Sequence, residues 1–491
     1  MTTDTTLTRL QSKLTPANQT HLVQFWPELN ESERAHLAEQ IDALDLDLLD
    51  RLKAQFAAAN ADQAQAASAH KAHWADLAAR ADSPPAMRLD GSGVPFSKAE
   101  AIARGEELLR SGQVGMILVA GGLGTRLGFD EPKGMFPIGP LSQRPLFQVL
   151  IEQLLAARKR FGAAIPLYIM TSPATDQKTR EFLAANNNFG LPAGDLHYFC
   201  QATMWVVDDS WQRILLAAKS ELALGPDGHG GMLRALEKSG ALADCQRRGI
   251  TQLFYGQIDN PLLQVCDPLL IGSHALAQAE MTTQVVRKRH PLERVGNLVA
   301  VGSQVLMIEY SDLPEEYARQ TLPDGSLKFW AGNLAVHVLD VAFLQRCAES
   351  EDALPFHLAH KKTPYIDANG QRVEPAAPNA FRFERFIFDL LNSARNSLVV
   401  EVDPAEAFAP VKNSDQEATD NAPLARQAIM ALHRRWLREA GVTIADETEV
   451  EINPLFAGTA EEVKARVKPG TTIDRPTYFA PTGPQVVAVR K

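Results

Sequence analysis

The chain has 491 residues, 45% of them hydrophobic and 22% charged. That exceeds what one core usually holds, so two or three domains are expected, and the composition excludes disorder on a global scale. A formal net charge of -10 excludes a nucleic-acid coat or an anionic membrane surface as the main partner, but not a small anion, which needs only a local nest of donors.

The N-terminal stretch "MTTDTTLTRLQSKL" has no charged-then-apolar leader, and no apolar run approaches the ~20 residues of a membrane span, so a cytoplasmic protein is expected. Residues 1 to about 85 read as helical. Within them, "ESERAHLAEQIDALDLDLLDRLKAQFAAA" sets Leu37, Ile41, Leu44, Leu48 and Leu52 at steps of three and four, one apolar helix face with a packing role. Pro84-Pro85 punctuates the run.

From about residue 100 the texture changes. "KAEAIARGEELLRSG" suits a helix stopped by Gly112. Strand-like "GMILVA", "IPLYIMTS", "LHYFCQ" and "GITQLFYGQID" then alternate with helical "LFQVLIEQLLAARKRFG" and "TDQKTREFLAANN". This alternation predicts an α/β fold, a mostly parallel sheet with helices on both faces and ligands at the carboxyl ends of its strands. The four cysteines, Cys200, Cys245, Cys266 and Cys347, have neither Cys-x-x-Cys nor zinc spacing and read as reduced thiols. After Asp403 one more helix, "PLARQAIMALHRRWLREAG", leads into β-prone "TEVEINPLF", "KPGTTIDRPTYFAP" and "PQVVAVRK", a small C-terminal β-containing domain. The expected division is 1–100 helical, 101–402 the α/β core and 403–491 the C-terminal domain.

The chemistry concentrates in "AGGLGTRLGFDEPKG", residues 120–134, at the end of a predicted strand. A dinucleotide fingerprint needs G-x-G-x-x-G, whereas Gly122, Gly124 and Gly128 are one residue too widely spaced. A Walker loop needs Ser or Thr after its lysine, and Lys133 is followed by Gly134. What remains is a glycine-rich turn whose amides can wrap a polyphosphate while Arg126 and Lys133 neutralise it.

"LVAGGLGTRLGFDEPKGMFPIG" resembles the loop of the eukaryotic-type UDP-sugar pyrophosphorylases, most closely those acting on UDP-N-acetylhexosamine. The similarity continues through "PDGHGG", "IDN", "EYS", "AGNLAVH", "KKTPYIDANG", "FERFIFDLL" and "VKNSD", from about residue 20 to about residue 440. It implies a Rossmann-like nucleotidyltransferase core and a reaction of UTP with a sugar 1-phosphate to give UDP-sugar and pyrophosphate. The sugar phosphate is already ionised near neutrality (second pKa about 6), so positioning and charge neutralisation suffice without a general base.

The resemblance also implies roles. Ala120, Gly121 and Gly122 contact the nucleotide, Arg126 and Lys133 meet the phosphates, and Lys412 reaches them from the far side of the cleft. Arg382 stands where the family carries a lysine. Asp259 is the candidate ligand for magnesium or manganese, one carboxylate being enough for a cation shared with phosphate oxygens. Gln201 and Gly228 match positions that read uracil, and His229, Gly296, Glu309, Tyr310 and Asn333 match positions that grip the sugar.

Three positions depart from the N-acetylhexosamine pattern. His229 replaces an asparagine, Ala202 stands at a glycine position, and Arg294 replaces a proline. Alanine resists positive φ, so Ala202 bears on the uracil-side loop. The expected sugar phosphate is N-acetylglucosamine 1-phosphate, with UDP-glucose or broad UDP-sugar synthesis as the rival within the class and a non-catalytic UDP-sugar-binding protein as the rival outside it. Monomer and homo-oligomer both stay open.

Overall fold

In the computed structural model, which describes residues 5–60, 63–350 and 353–487, the N-terminal run is helical but its single apolar face is broken. Helix α1 spans Thr5–Leu14, α2 spans Glu31–Asp42 and α3 spans Leu46–Asn60. The chain leaves the helix at residues 43–45 and restarts with the Asp45 carboxylate accepting from Leu48 N at 2.8 Å. The restart shifts the buried stripe by one residue, so Leu37, Ile41, Leu44 and Leu52 are buried as expected but Leu49 is buried in place of Leu48.

Backbone contacts group these helices with distant segments. One compact unit comprises Met1–Asp76, Ala202–Met232 and Leu354–Ile387; the other comprises Leu77–Gln201, Leu233–Ala353 and Phe388–Lys491. In the first, α1 to α3 close over a small antiparallel sheet of Val207–Asp208, His357–Lys361 and Ala380–Glu384. Leu10, Leu14, Leu37 and Ile41 share a core with Trp205, Trp211, Phe381 and Phe383. The packing role read for the N-terminal helices is therefore to bury aromatic side chains supplied much later in the sequence.

The second unit holds a ten-stranded sheet. Its strands are β1 (Ala86–Met87), β2 (Val114–Val119), β3 (Leu167–Thr171), β4 (Leu196–Cys200), β5 (Gln252–Gln257), β6 (Met281–Arg287), β7 (Asn297–Val301), β8 (Gln304–Ile308), β9 (Ala331–Asp340) and β10 (Ser397–Glu401). The order is β1-β10-β6-β9-β5-β2-β3-β4, with β7 beside β9 and β8 beside β7. Every neighbour along the main path is parallel except where β9 runs against β5 and β6. The near-continuous apolar runs of β2, β3 and β5 match strands covered on both faces. Helices α4 (Lys98–Arg110) and α5 (Leu146–Phe161) end at Gly112 and Gly162, both left-handed.

Helix α6 (Pro268–Leu276) follows β5, and α7 (Ala422–Glu439) carries two cores. Its Ala422, Ala425, Ile429 and Leu432 pack into the main one. Leu437 begins a second, with Val442, Ile444, Val450, Ile452 and Phe479 and with Val463 from α8 (Ala460–Arg466). The expected C-terminal strands are present as Val450–Ile452, Thr477–Ala480 and Gly483–Val486, and residues 488–491 of "PQVVAVRK" lie outside the described residues, as does the opening "MTTD". Among the described residues no helix is long and apolar enough to cross a membrane.

A buried ionic network ties this C-terminal core to the sheet. The Arg144 guanidinium donates to Glu152 and, at 2.8 Å, to Glu451, which also accepts from the amides of Leu141 and Ser142 at 2.7 Å. Burial pushes the Glu451 carboxyl up, but Arg144 and Ser142 pull harder, so its pKa lies below the usual glutamate value. Arg144→Met strands two carboxylates without their cation, and urea unfolding should show a loss of about 3–5 kcal/mol. The Glu451 contribution is complete above the ordinary glutamate pKa and disappears as pH falls through the lowered one. Unfolding midpoints measured down the acid range should therefore fall more steeply in the parent than in Arg144→Met.

Candidate active site

Strands β2 and β5 pair in parallel register from Val114 opposite Gln252 to Val119 opposite Gln257, and Ile258 N donates to Val119 O at 3.0 Å. The two chains therefore leave the sheet side by side, one into the glycine-rich loop and the other into Asp259. The loop folds back on itself. Gly124 N donates to Glu131 O at 2.9 Å and Lys133 N to Gly122 O at 3.0 Å, returning Lys133 to the loop's own start. The residue that spoils the dinucleotide spacing lies in a 3-10 turn, Thr125–Leu127, closed by Gly128 at φ 70°. Gly134 is required by packing, since a Cβ there would lie 2.2 Å from the Phe147 ring.

Ala120 is buried, its amide bonded to Met170 O at 2.8 Å, and Gly121 O accepts from Ser172 Oγ at 2.7 Å. The buried Gln201 side chain lies against Gly121, where a Cβ would come within 3.1 Å of its Oε1. A Cβ on Gly122 would meet nothing within 4 Å, so the space over this glycine is open.

Lys412 lies 153 residues beyond Asp259 (412 − 259) and is docked by main-chain bonds. Asp259 O accepts from Val411 N at 2.8 Å, while Asp420 O accepts from Lys412 N at 2.7 Å and Asn413 N at 3.0 Å. Asn260 completes the joint, donating to Ala407 O at 2.7 Å and accepting from Ala409 N at 3.0 Å. Lys412 thus belongs to the same unit as Lys133. Burial pushes the Lys133 ammonium down, Asp259 pushes it up, and Lys412 and Arg126 push it down; the net pKa is lowered. Three cations stand against Asp259 and, beside Lys412, Asp420, which still leaves an excess of positive charge that an arriving anion would offset.

No group of three or more His, Cys, Asp or Glu able to hold a metal occurs among the described residues. A hard cation held by Asp259 and shared with phosphate oxygens fits that donor set, whereas an all-protein cage does not. Asp420 is felt electrostatically by both Asp259 and Lys412.

A second cluster follows from register. Asn297 lies opposite Ile308 on one side and Gly332 on the other, which brings the adjoining Gly296, Glu309 and Asn333 to one corner. Asn333 N donates to Gly296 O at 2.9 Å, and Asn333 Nδ2 lies 3.2 Å from Met307 Sδ. Tyr310 follows, half exposed, and Arg294 is exposed on the loop leading into the corner. Sequence reasoning missed the buried Lys288, whose ammonium donates to Asn297 Oδ1 at 2.6 Å, and Asn297 in turn donates to Val295 O and Ile308 O, both at 3.2 Å. A second cation, directly after Arg287 at the end of the strand-like run "TTQVV", was the available signal. It missed Asn260 and Asp420 because one works as a bridge and the other through a carbonyl, and neither leaves a mark in residue type.

Gly228, His229 and Arg382 belong to the other unit. Gly228 has φ 82°, and a Cβ there would lie 2.3 Å from Arg385 O. Arg382 NH2 donates to Thr363 Oγ1 at 3.3 Å. Ala202 is not left-handed, so its replacement of glycine introduces no strain. His229 Nδ1 accepts from Ile387 N at 3.1 Å, which fixes the neutral tautomer with its proton on Nε2. Its ring packs on Phe386.

A glycine-rich, cation-bearing loop at the carboxyl edge of a mostly parallel sheet defines an α/β protein of the nucleotidyltransferase class. The family model described as UTP–glucose-1-phosphate uridylyltransferase matches residues 67–458, and the chain belongs to this family of uridylyltransferases. It is 34% identical over 446 residues to the UDP-N-acetylhexosamine pyrophosphorylase-like protein 1 of Homo sapiens, covering 89% of this chain and 86% of that one. To the UDP-N-acetylglucosamine pyrophosphorylase of Saccharomyces cerevisiae it is 34% identical over 366 residues, 73% of this chain and 77% of the relative. Its fold is similar to the crystal structure of the uridine diphosphate N-acetylglucosamine pyrophosphorylase from Trypanosoma brucei in complex with inhibitor. That match has a TM-score of 0.77 and 25% identity over 97% of this chain and 99% of the other.

Burial, and secondarily the neighbouring His357, depresses the His229 pKa to about 4. The imidazole should therefore be neutral at physiological pH. An NMR titration of its ring nitrogens should give a midpoint close to 4; a midpoint near the ordinary 6.5 would contradict this environment.

Proposed function

We propose that this chain transfers the uridylyl group of UTP to a sugar 1-phosphate, N-acetylglucosamine 1-phosphate foremost, releasing pyrophosphate. The observation that carries the reading is the meeting of Arg126, Lys133 and Asp259, beyond the ends of β2 and β5, with Lys412 from the docked 411–420 segment, a cation-rich site suited to an anion. The relatives named for UDP-N-acetylglucosamine and UDP-N-acetylhexosamine support the choice of sugar.

In this reading Gln201 and Gly228 orient the uracil, with the Gln201 amide offering a donor and an acceptor to a pyrimidine edge. The open space over Gly122 lets the phosphates lie on the loop. Lys133 and Arg126 hold the triphosphate, and Lys412 neutralises the incoming sugar phosphate, so that two anions approach in line. The resemblance assigns Arg382 to the phosphates as well. A magnesium or manganese ion, when bound at Asp259, would supply Lewis-acid neutralisation of phosphate oxygens. Gly296, Glu309, Tyr310 and Asn333 grip the sugar in this reading, and the resemblance adds His229 to them. A neutral imidazole there suits an N-acetyl carbonyl, and equally a bare hydroxyl, which keeps glucose 1-phosphate as the second reading.

The experiment is a panel of N-acetylglucosamine, N-acetylgalactosamine, glucose and galactose 1-phosphates with UTP and Mg²⁺, read as pyrophosphate release. Highest kcat/KM for N-acetylglucosamine 1-phosphate is expected. Preference for glucose 1-phosphate selects the second reading, and UDP-sugar binding without turnover of any substrate would make the chain a binding protein. Lys133→Ala should lower kcat by about a hundredfold or more while uridine binding changes little; near-normal turnover removes Lys133 from the chemistry. Asp259→Ala should raise the Mg²⁺ concentration needed for half-maximal activity.

A further inference from the structure

The sheet-bearing unit also encloses a cavity of about 400 Å³ lined by none of the residues assigned to nucleotide or sugar. Three of the stretches that line it each continue from a group at the candidate site, and α5, Glu406 and residues 451–461 complete the walls. Residues 139–144 follow Lys133, residues 261–268 follow Asp259, and α7 follows the Asp420 clamp on Lys412. The first and third are also tied directly, Arg426 NH2 of α7 donating to Pro137 O at 2.8 Å.

The chemistry of the walls is one-sided. Two arginines and five carboxylates line it; Arg144 is engaged with Glu451, Arg160 with Glu462 at 2.9 Å, and Glu406 with Arg435 at 2.8 Å, which leaves Asp267, Glu439 and Glu461 as the lining carboxylates outside these pairs. The single lining histidine, His433, accepts from Ile452 N at 3.1 Å, and burial holds its pKa near 4, so it adds no positive charge at neutrality. Asp267 caps α6 through the amides of Leu269 and Leu270 at 3.1 and 3.3 Å, and burial nonetheless pushes its carboxyl above the ordinary aspartate value, so an arriving cation would favour its ionised form. Ile429 and the Trp436 ring supply an apolar and aromatic wall. A carboxylate, an aromatic ring and apolar sides are what binds an organic cation.

We propose that this cavity binds an organic ammonium or guanidinium on an apolar body, with the charge at Asp267 and the body against Trp436 and Ile429, and that occupancy alters turnover through the three shared segments. The binding claim stands apart from the assigned reaction, because it is measured on the full chain without substrates. Phenethylammonium is titrated by calorimetry beside its neutral and anionic counterparts, 2-phenylethanol and 3-phenylpropionate. Saturable binding of the cation is expected, with the other two weaker by about tenfold, the scale of a desolvated cation–π contact. Asp267→Asn keeps a capping side chain and removes the charge, so it should weaken phenethylammonium about tenfold without loss of fold. Ile429→Trp should block it by filling the space. Saturating phenethylammonium should also lower kcat without raising the KM for UTP. No saturable binding, equal binding of all three compounds, or undiminished binding by Asp267→Asn overturns the site; an unchanged kcat at saturation overturns its coupling to turnover.

Discussion

The cation cluster of the candidate site depends on the parallel register of β2 with β5. A parallel pair sends both chains out of the sheet at the same edge, and this register puts Val119 level with Gln257. The glycine-rich loop and Asp259 then start from neighbouring positions on rigid strands. A one-residue slip would also exchange the faces of β5, so the apolar packing that stabilises the strand enforces the geometry of the site.

The third cation arrives by a different device. Lys412 is held on an irregular segment by main-chain bonds to Asp259 and Asp420 and by the Asn260 side chain. Because these are backbone contacts, they fix the Cα of Lys412 and leave its side chain exposed and able to follow a ligand. Lys133 is the opposite case, partly buried and crowded by like charge, with its pKa lowered in consequence. One cation is partly buried at an electrostatic disadvantage and the other is exposed, a combination suited to a ligand that brings its own negative charge.

Much of the fold was legible because apolar periodicity and helix stops are local. β2, β3, β4, β5 and the helices closed by Gly112 and Gly162 fall where their patterns place them. The break between α2 and α3 was not legible, since the steps of three and four continue across it and only the Asp45 cap interrupts them. Of the candidate site, the loop, Asp259 and Lys412 were readable from residue type and resemblance. Asn260, Asp420 and Lys288 were not, because what they do depends on which backbone groups lie opposite them.

From the sequence by itself came a polyphosphate-binding turn, its glycine and cation spacing excluding the dinucleotide and Walker alternatives, and, through its resemblance to the UDP-sugar pyrophosphorylases, the reaction class. Only the tertiary structure decided that Lys412 joins Lys133 in one unit, that Gly296, Glu309 and Asn333 share a corner, and that the N-terminal helices close over aromatic residues supplied much later. The physical reason is that these arrangements rest on strand register and long-range burial, which bring together residues far apart along the chain and so leave no pattern within any one segment.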